Sequence, residues 1–256
     1  MKRIESKIIA EIGLNHLGKE ELLTKLIDKV IESGFKYLTI QIREIEYYKE
    51  GDRKKYILDA NFVEKELKRA QVSNIKVGLA IADKNFKKMS AHFNADFYKV
   101  LSWKANDIGL IDYLLEYRKP IYLSLGMLSS DEIFDLNNRL LNRESKVNFI
   151  HTQLNYNIND LNLRFITKLQ EQTKFKISYG HHTKNNLDPI VMSLAYDIDK
   201  IFLYVKLNDN NLYLDDEHAL NLDMAKDTIF KLNNCIQLLG NDTKNSSINF
   251  IDTLED

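Results

Sequence analysis

The stretch Lys7-Ile8-Ile9-Ala10-Glu11-Ile12-Gly13-Leu14-Asn15-His16-Leu17-Gly18, with the segment that follows it, decides the fold. Residues 7–12 form a short apolar run of strand length. Residues 20–33 place Leu22, Leu23, Leu26, Ile27 and Val30 on one face of a helix, and Gly34 stops it. A buried strand, a polar turn and an amphipathic helix make one unit of a parallel sheet.

Working outward, the unit recurs. Further strands are expected at residues 37–42, 75–81, 97–101, 121–125, 147–152, 175–179 and 200–206. Helices are expected near 61–70, 84–93, 106–117, from Ser130 as a cap, 162–171, 189–196 and 224–239, where Gly240 closes the last. Eight strand–helix units in about 240 residues fit a closed (β/α)8 TIM barrel, a single α/β domain, better than an open doubly wound sheet. Residues 1–240 form the expected barrel, and the polar residues 241–256 read as a tail.

The 256-residue chain carries a net charge of -1, with 44% hydrophobic and 29% charged residues. That gives one sizeable core and no basic excess for nucleic acid. Cys235 is the single cysteine, so no internal disulfide forms, and its place in the last helix reads as core packing. No apolar run approaches the ~20 residues of a membrane span, and the N-terminus lacks a long apolar signal segment. The expectation is a cytoplasmic protein without membrane or nucleic-acid partners.

Chemistry in such barrels sits at the C-terminal ends of the strands. Those ends offer Glu11, Asn15, His16, Gln41, Arg43, Asp83, Lys99, Ser102, Ser124, His151, Gln153, His181, His182 and Lys206. So many polar groups on one rim point to an anionic or sugar-like small molecule.

Ala10-Glu11-Ile12-Gly13-Leu14-Asn15-His16-Leu17-Gly18 resembles the AEIGxNHxG motif of the sialic acid synthase family, barrel domain only. Further matches follow in order. Lys99-Val100-Leu101-Ser102 resembles KIAS, and Pro120 to Met127 resembles KPVILSTGM. His151-Thr152 resembles the HCT segment, Gly180-His181-His182-Thr183 resembles SDHT, and Asp216-Glu217-His218 loosely resembles PDH. The resemblance implies condensation of phosphoenolpyruvate with an N-acylmannosamine or related hexosamine to a nonulosonic acid, for carbohydrate biosynthesis. It implies a divalent metal, manganese or magnesium, acting as a Lewis acid. It gives Glu11, Asn15 and His16 catalytic roles. It assigns substrate contacts to Gln41, Asp83, Lys99, Ser102, Asn106, Ser124, His151 and Glu217. His182 matches a metal ligand, with His181 and His218 as further candidates.

Departures accompany the matches. Thr39 stands where the family has a phosphate-binding lysine, Trp103-Lys104 replaces a Gly-Glu pair, and Val205 falls on the second metal-binding His. The family's small C-terminal lid domain has no counterpart here, which leaves a homodimer or a separate lid-domain protein as possible partners. Two functions therefore stand side by side: an active synthase, and a catalytically altered member that binds a sugar or a partner. Glu11 reads as a catalytic carboxylate or an ion-pair partner, His16 as a site group or a loop hydrogen-bonder, and His151 also as a core histidine. Residues 44–55 read as a solvated loop or a fold over the mouth.

Overall fold

A computed structural model of the chain describes residues 3–143 and 145–240. The segment 241–256, expected as a tail, lies outside the described residues. Eight strands run in chain order: β1 (Ile8–Gly13), β2 (Tyr37–Ile42), β3 (Lys76–Ile81), β4 (Phe97–Val100), β5 (Ile121–Ser124), β6 (Val147–Thr152), β7 (Lys176–His181) and β8 (Ile201–Lys206). Each pairs in parallel with the next, and β8 pairs with β1, so the barrel closes. The helices are α1 (Glu20–Glu32), α2 (Ile45–Lys49), α3 (Ala60–Val72), α4 (Lys87–Ser90), α5 (Ile108–Leu115), α6 (Ser130–Arg139), α7 (Phe165–Gln172), α8 (Asp188–Ser193) and α9 (Ala225–Leu239). A two-residue strand, β9 (Leu220–Asn221), adds to the end of β8.

Each strand divides its side chains between two cores, because neighbours on a strand face opposite ways. Ile9, Phe97, Tyr122, Ile150 and Phe202 fill the lumen as one cluster. The alternating set, such as Ile8, Ala10, Ile12, Tyr98 and Val100, packs under the helices. The helix faces meet that layer: Leu22, Leu23, Leu26, Ile27 and Val30 of α1 are all buried, each worth about 1.5–3 kcal/mol over exposure. Gly78 makes room in the lumen, since a Cβ there would lie 2.3 Å from the Phe97 ring.

Three local expectations shift. The cap of α6 is Ser129, not Ser130; Ser129 and Glu132 form a reciprocal capping box. The expected helix 84–93 is a 3-10 turn followed by the four-residue α4. Residues 44–55 fold into α2 and a 3-10 helix rather than an open loop, with Tyr48 buried. This segment sits on the β1–α1 turn so closely that a Cβ on Gly18 would overlap the Lys55 carbonyl. Among the described residues, no helix is long and apolar enough to cross a membrane.

Candidate active site at the barrel mouth

Glu11 of β1 and Lys99 of β4 meet across the lumen. Lys99 Nζ donates to Glu11 Oε1 at 2.6 Å and Oε2 at 2.8 Å, and Thr39 Oγ1 donates to Oε1 at 3.3 Å. The two side chains are 3% and 5% exposed. Burying two charges carries a desolvation penalty that their attraction seldom exceeds by much, so the pair is weak evidence for stability. Its place at the strand ends makes it a functional candidate. The aromatic faces of Phe202 and Tyr204 lie 5.0 and 5.7 Å from the Lys99 ammonium.

Ser102 and Ser124 stand on the same side, their Oγ atoms 2.8 Å apart. One hydroxyl must donate to the other, which leaves the second hydrogen free for a third group. Gly126 keeps that corner open, because a Cβ there would lie 3.3 Å from Ser102 Oγ.

The facing wall is built differently. Asn15 is fully buried, its Nδ2 donating to the Val205 carbonyl and its Oδ1 accepting from the Asp215 backbone. These bonds pin the loop after β8 against β1 and aim Asp215 inward. Gly13, at φ +58°, admits that carboxylate: a Cβ would lie 2.9 Å from Asp215 Oδ2 and 2.7 Å from the Tyr204 ring. Burial, then the Glu11 charge, pushes the Asp215 carboxyl up to about 7. His218 Nε2 lies 3.8 Å from Asp215 Oδ1. The His218 ring packs against His182 at 4.8 Å and Tyr204 at 5.0 Å. Burial depresses His218 to about 4 and His182 well below its ordinary value. Both His218 ring nitrogens are buried without a hydrogen-bond partner.

The metal implied by the resemblance can be tested against this donor set. His182, His218 and Asp215 line one wall, but among the described residues no three His, Cys, Asp or Glu side chains converge to hold an ion. As arranged, they do not fit a metal. His181 does not add to them. It alternates with His182 and lies buried beside Tyr179 in the layer under the helices, 6.1 Å between ring centres. Val205 also belongs to that layer, so a ligand there would point away from the lumen. Its lumen-facing neighbours are Tyr204 and Lys206, and neither brings imidazole or carboxylate. Lys206 is tied to Asp216, 2.8 Å from Oδ1.

Other candidates separate from the mouth for identifiable reasons. His151 alternates with lumen-facing Ile150 and Thr152; its Nε2 bonds the Leu161 carbonyl at 2.8 Å, a satisfied core histidine. Asp83 is occupied as the cap of Asn85 in the 3-10 turn. Asn106 is exposed on the loop before α5, and Glu217 is exposed and paired with Lys184 at 2.6 Å. His16 bonds the first loop, its Nδ1 accepting from the Gly18 amide, and burial lowers it to about 4. Gln41 stays at the mouth, where its Oε1 accepts from Tyr204 at 3.4 Å. Asp215 and Tyr204 carry no sequence signal that marks them as site residues. Asp215 is one of three consecutive acids, and only the bond from its amide to Asn15 distinguishes it.

Comparison with known proteins now bears on this mouth. The NeuB family model matches residues 34–244. The chain belongs to the NeuB family. The family match covers the barrel from the end of α1 onward. Pseudaminic acid synthase of Campylobacter jejuni serotype O:2 is 22% identical over 243 residues, covering 86% of this chain and 70% of that protein. Among solved structures, N-acetylneuraminic acid (sialic acid) synthetase from Leptospira borgpetersenii superposes with a TM-score of 0.85 at 20% identity, covering 99% of this chain and 91% of that one. A truncated 3-deoxy-D-arabino-heptulosonate 7-phosphate synthase from Thermotoga maritima gives 0.69 at 17% identity, covering 91% and 88%. At such identities these structures share the fold, a closed parallel barrel.

Proposed function

We propose that the chain is a carbon–carbon bond-forming synthase. It condenses phosphoenolpyruvate with an N-acylmannosamine or related hexosamine to a nonulosonic acid, in surface polysaccharide biosynthesis. The buried Glu11–Lys99 pair at the mouth carries this reading. Lys99 and the free hydroxyl of the Ser102–Ser124 pair supply the cation and donor that a phosphate and carboxylate require. Glu11 holds the ammonium in place beneath the substrate. Carbon 3 of the enol attacks the aldehyde carbon, whose oxygen takes up a proton. Water then adds at carbon 2 and phosphate leaves.

A divalent ion, manganese or magnesium, would polarise the aldehyde in such chemistry. Because His182, His218 and Asp215 do not converge, no step is assigned to it. The same reading has the protein working on small molecules in the cytoplasm, with a homodimer or a separate lid protein covering the mouth.

The test is phosphate release from phosphoenolpyruvate and a panel of hexosamines, with and without manganese. Release that requires both substrates supports the synthase. The lack of three converging metal donors among the described residues favours a second reading, a non-catalytic member that binds a sugar or a partner protein. Saturable sugar binding without phosphate release on any hexosamine would select it.

A further inference from the structure

We propose that Arg43, with Lys104 beside it, forms a subsite for an oxyanion carried at the far end of the substrate, and that the Glu44 carboxylate occupies this subsite until the substrate displaces it. This rests on the reading of the lumen as the condensation site.

Arg43 follows β2 and continues the lumen-facing row of Thr39 and Gln41. Its guanidinium lies between two rings, 3.9 Å from the centre of Tyr47 and 4.2 Å from Trp103. Trp103 in turn packs on Ala80, Ala82 and Leu101, one of the three buried apolar clusters. Tyr48 fixes the base of the side chain, its hydroxyl accepting from the Arg43 amide at 3.2 Å. A guanidinium packed against two rings has lost much of its rotamer freedom, so it binds a planar or tetrahedral oxyanion with little further ordering.

One carboxylate already sits there. Arg43 Nε and Nη2 donate to the two Glu44 oxygens at 3.1 and 3.0 Å. Burial works to raise this carboxyl, but the hydrogen bonds from Arg43, then its charge, and last the Lys104 charge hold it below its ordinary range. Glu44 and Arg43 keep 24% and 20% of their side chains exposed, so the pair opens to water without leaving a buried charge unpaired. An ion pair between chain neighbours that stays partly open to water is one that a phosphate can displace.

Position decides which part of the substrate this subsite takes. Arg43 lies four residues beyond Thr39, which pairs with Glu11 across the β1–β2 ladder. At ~3.3 Å per residue that is about 13 Å further along the strand, toward the rim. The Arg43 subsite thus lies beyond the Glu11–Thr39 level of β2, where it takes the outer end of a ligand whose inner end is held by Lys99. Lys206 is engaged with Asp216 and Lys184 with Glu217, whereas Lys104 meets Asp107 only at 4.0 Å. A hexosamine with a terminal phosphate or carboxylate suits the span.

Calorimetry on the full chain tests this with N-acetylmannosamine, its 6-phosphate and its 6-uronic acid. The wild type should bind at least one of the anionic sugars about tenfold more tightly than the neutral one, a difference of about 1.4 kcal/mol. R43Q should erase the difference, and E44Q should tighten anionic binding several-fold. Both variants should melt close to wild type, which separates lost binding from lost folding. Equal affinities for all three sugars would overturn the proposal. So would a preference that survives R43Q, since the anion would then sit on Lys99. If this pattern holds while phosphate release fails, the subsite stands and the condensation reading falls.

Discussion

The two walls of the mouth are made by different means. Glu11 of β1, and Lys99, Ser102 and Ser124 of β4 and β5 across from it, are held on or next to strands, where parity and register fix each side chain. On the β7–β8 side, His182 follows β7 directly, but Asp215 and His218 arrive on a loop and stay because Asn15 bonds it. The first wall is a property of the barrel. The second depends on loop contacts, the Asn15 bond to Asp215 and the Lys206 bonds to Asp216 among them, and so it has more freedom to change its chemistry within one fold.

Breaking the first wall should have the largest effect. E11Q leaves Lys99 buried without a charge partner, and such breaks cost about 3–5 kcal/mol. Denaturant unfolding should show that loss, and the E11Q/K99M pair should recover part of it.

Asn15→Ala comes next. It removes a donor to Val205 and an acceptor for Asp215, and unsatisfied buried groups cost about 1–3 kcal/mol each. It should also change Asp215 and His218 while leaving Lys99 in place, visible as altered histidine resonances with phosphoenolpyruvate affinity retained.

Acid should weaken the fold through its histidines. His16 is held near 4 in the folded chain, against about 6.5 unfolded. The unfolded state therefore binds more protons below about 6.5, and stability is lost as pH falls from there toward 4. The melting temperature should drop across that window, and less in a His16→Asn variant. Asp215 works in the opposite direction: its raised carboxyl favours the folded state at low pH, a contribution lost as pH rises through about 7.

The smallest expected effect is at Glu217. Its exposed pair with Lys184 should cost under about 1 kcal/mol when broken in E217Q, with the kinetics unchanged.

The barrel was legible in the sequence because apolar runs and amphipathic helices alternate through the chain, and strand length is a strong signal. Parity was the weaker part of the reading. His151, His181 and Val205 sit on strands whose lumen-facing residues are their neighbours, and a one-residue slip exchanges core for site. Position alone did not separate Asp215 from Asp216 and Glu217, since the bond that turns it inward comes from Asn15, two hundred residues away in sequence. Arg43 stood among the strand-end candidates, but its aromatic seat depends on Trp103 arriving from β4.

The central claim is that the strand-held wall binds phosphoenolpyruvate through Lys99. Titration of phosphoenolpyruvate into wild type and K99M by calorimetry tests it most directly. The account predicts one saturable site per chain in the wild type and its loss in a folded K99M variant. No binding to wild type, or equal binding to both, would contradict it.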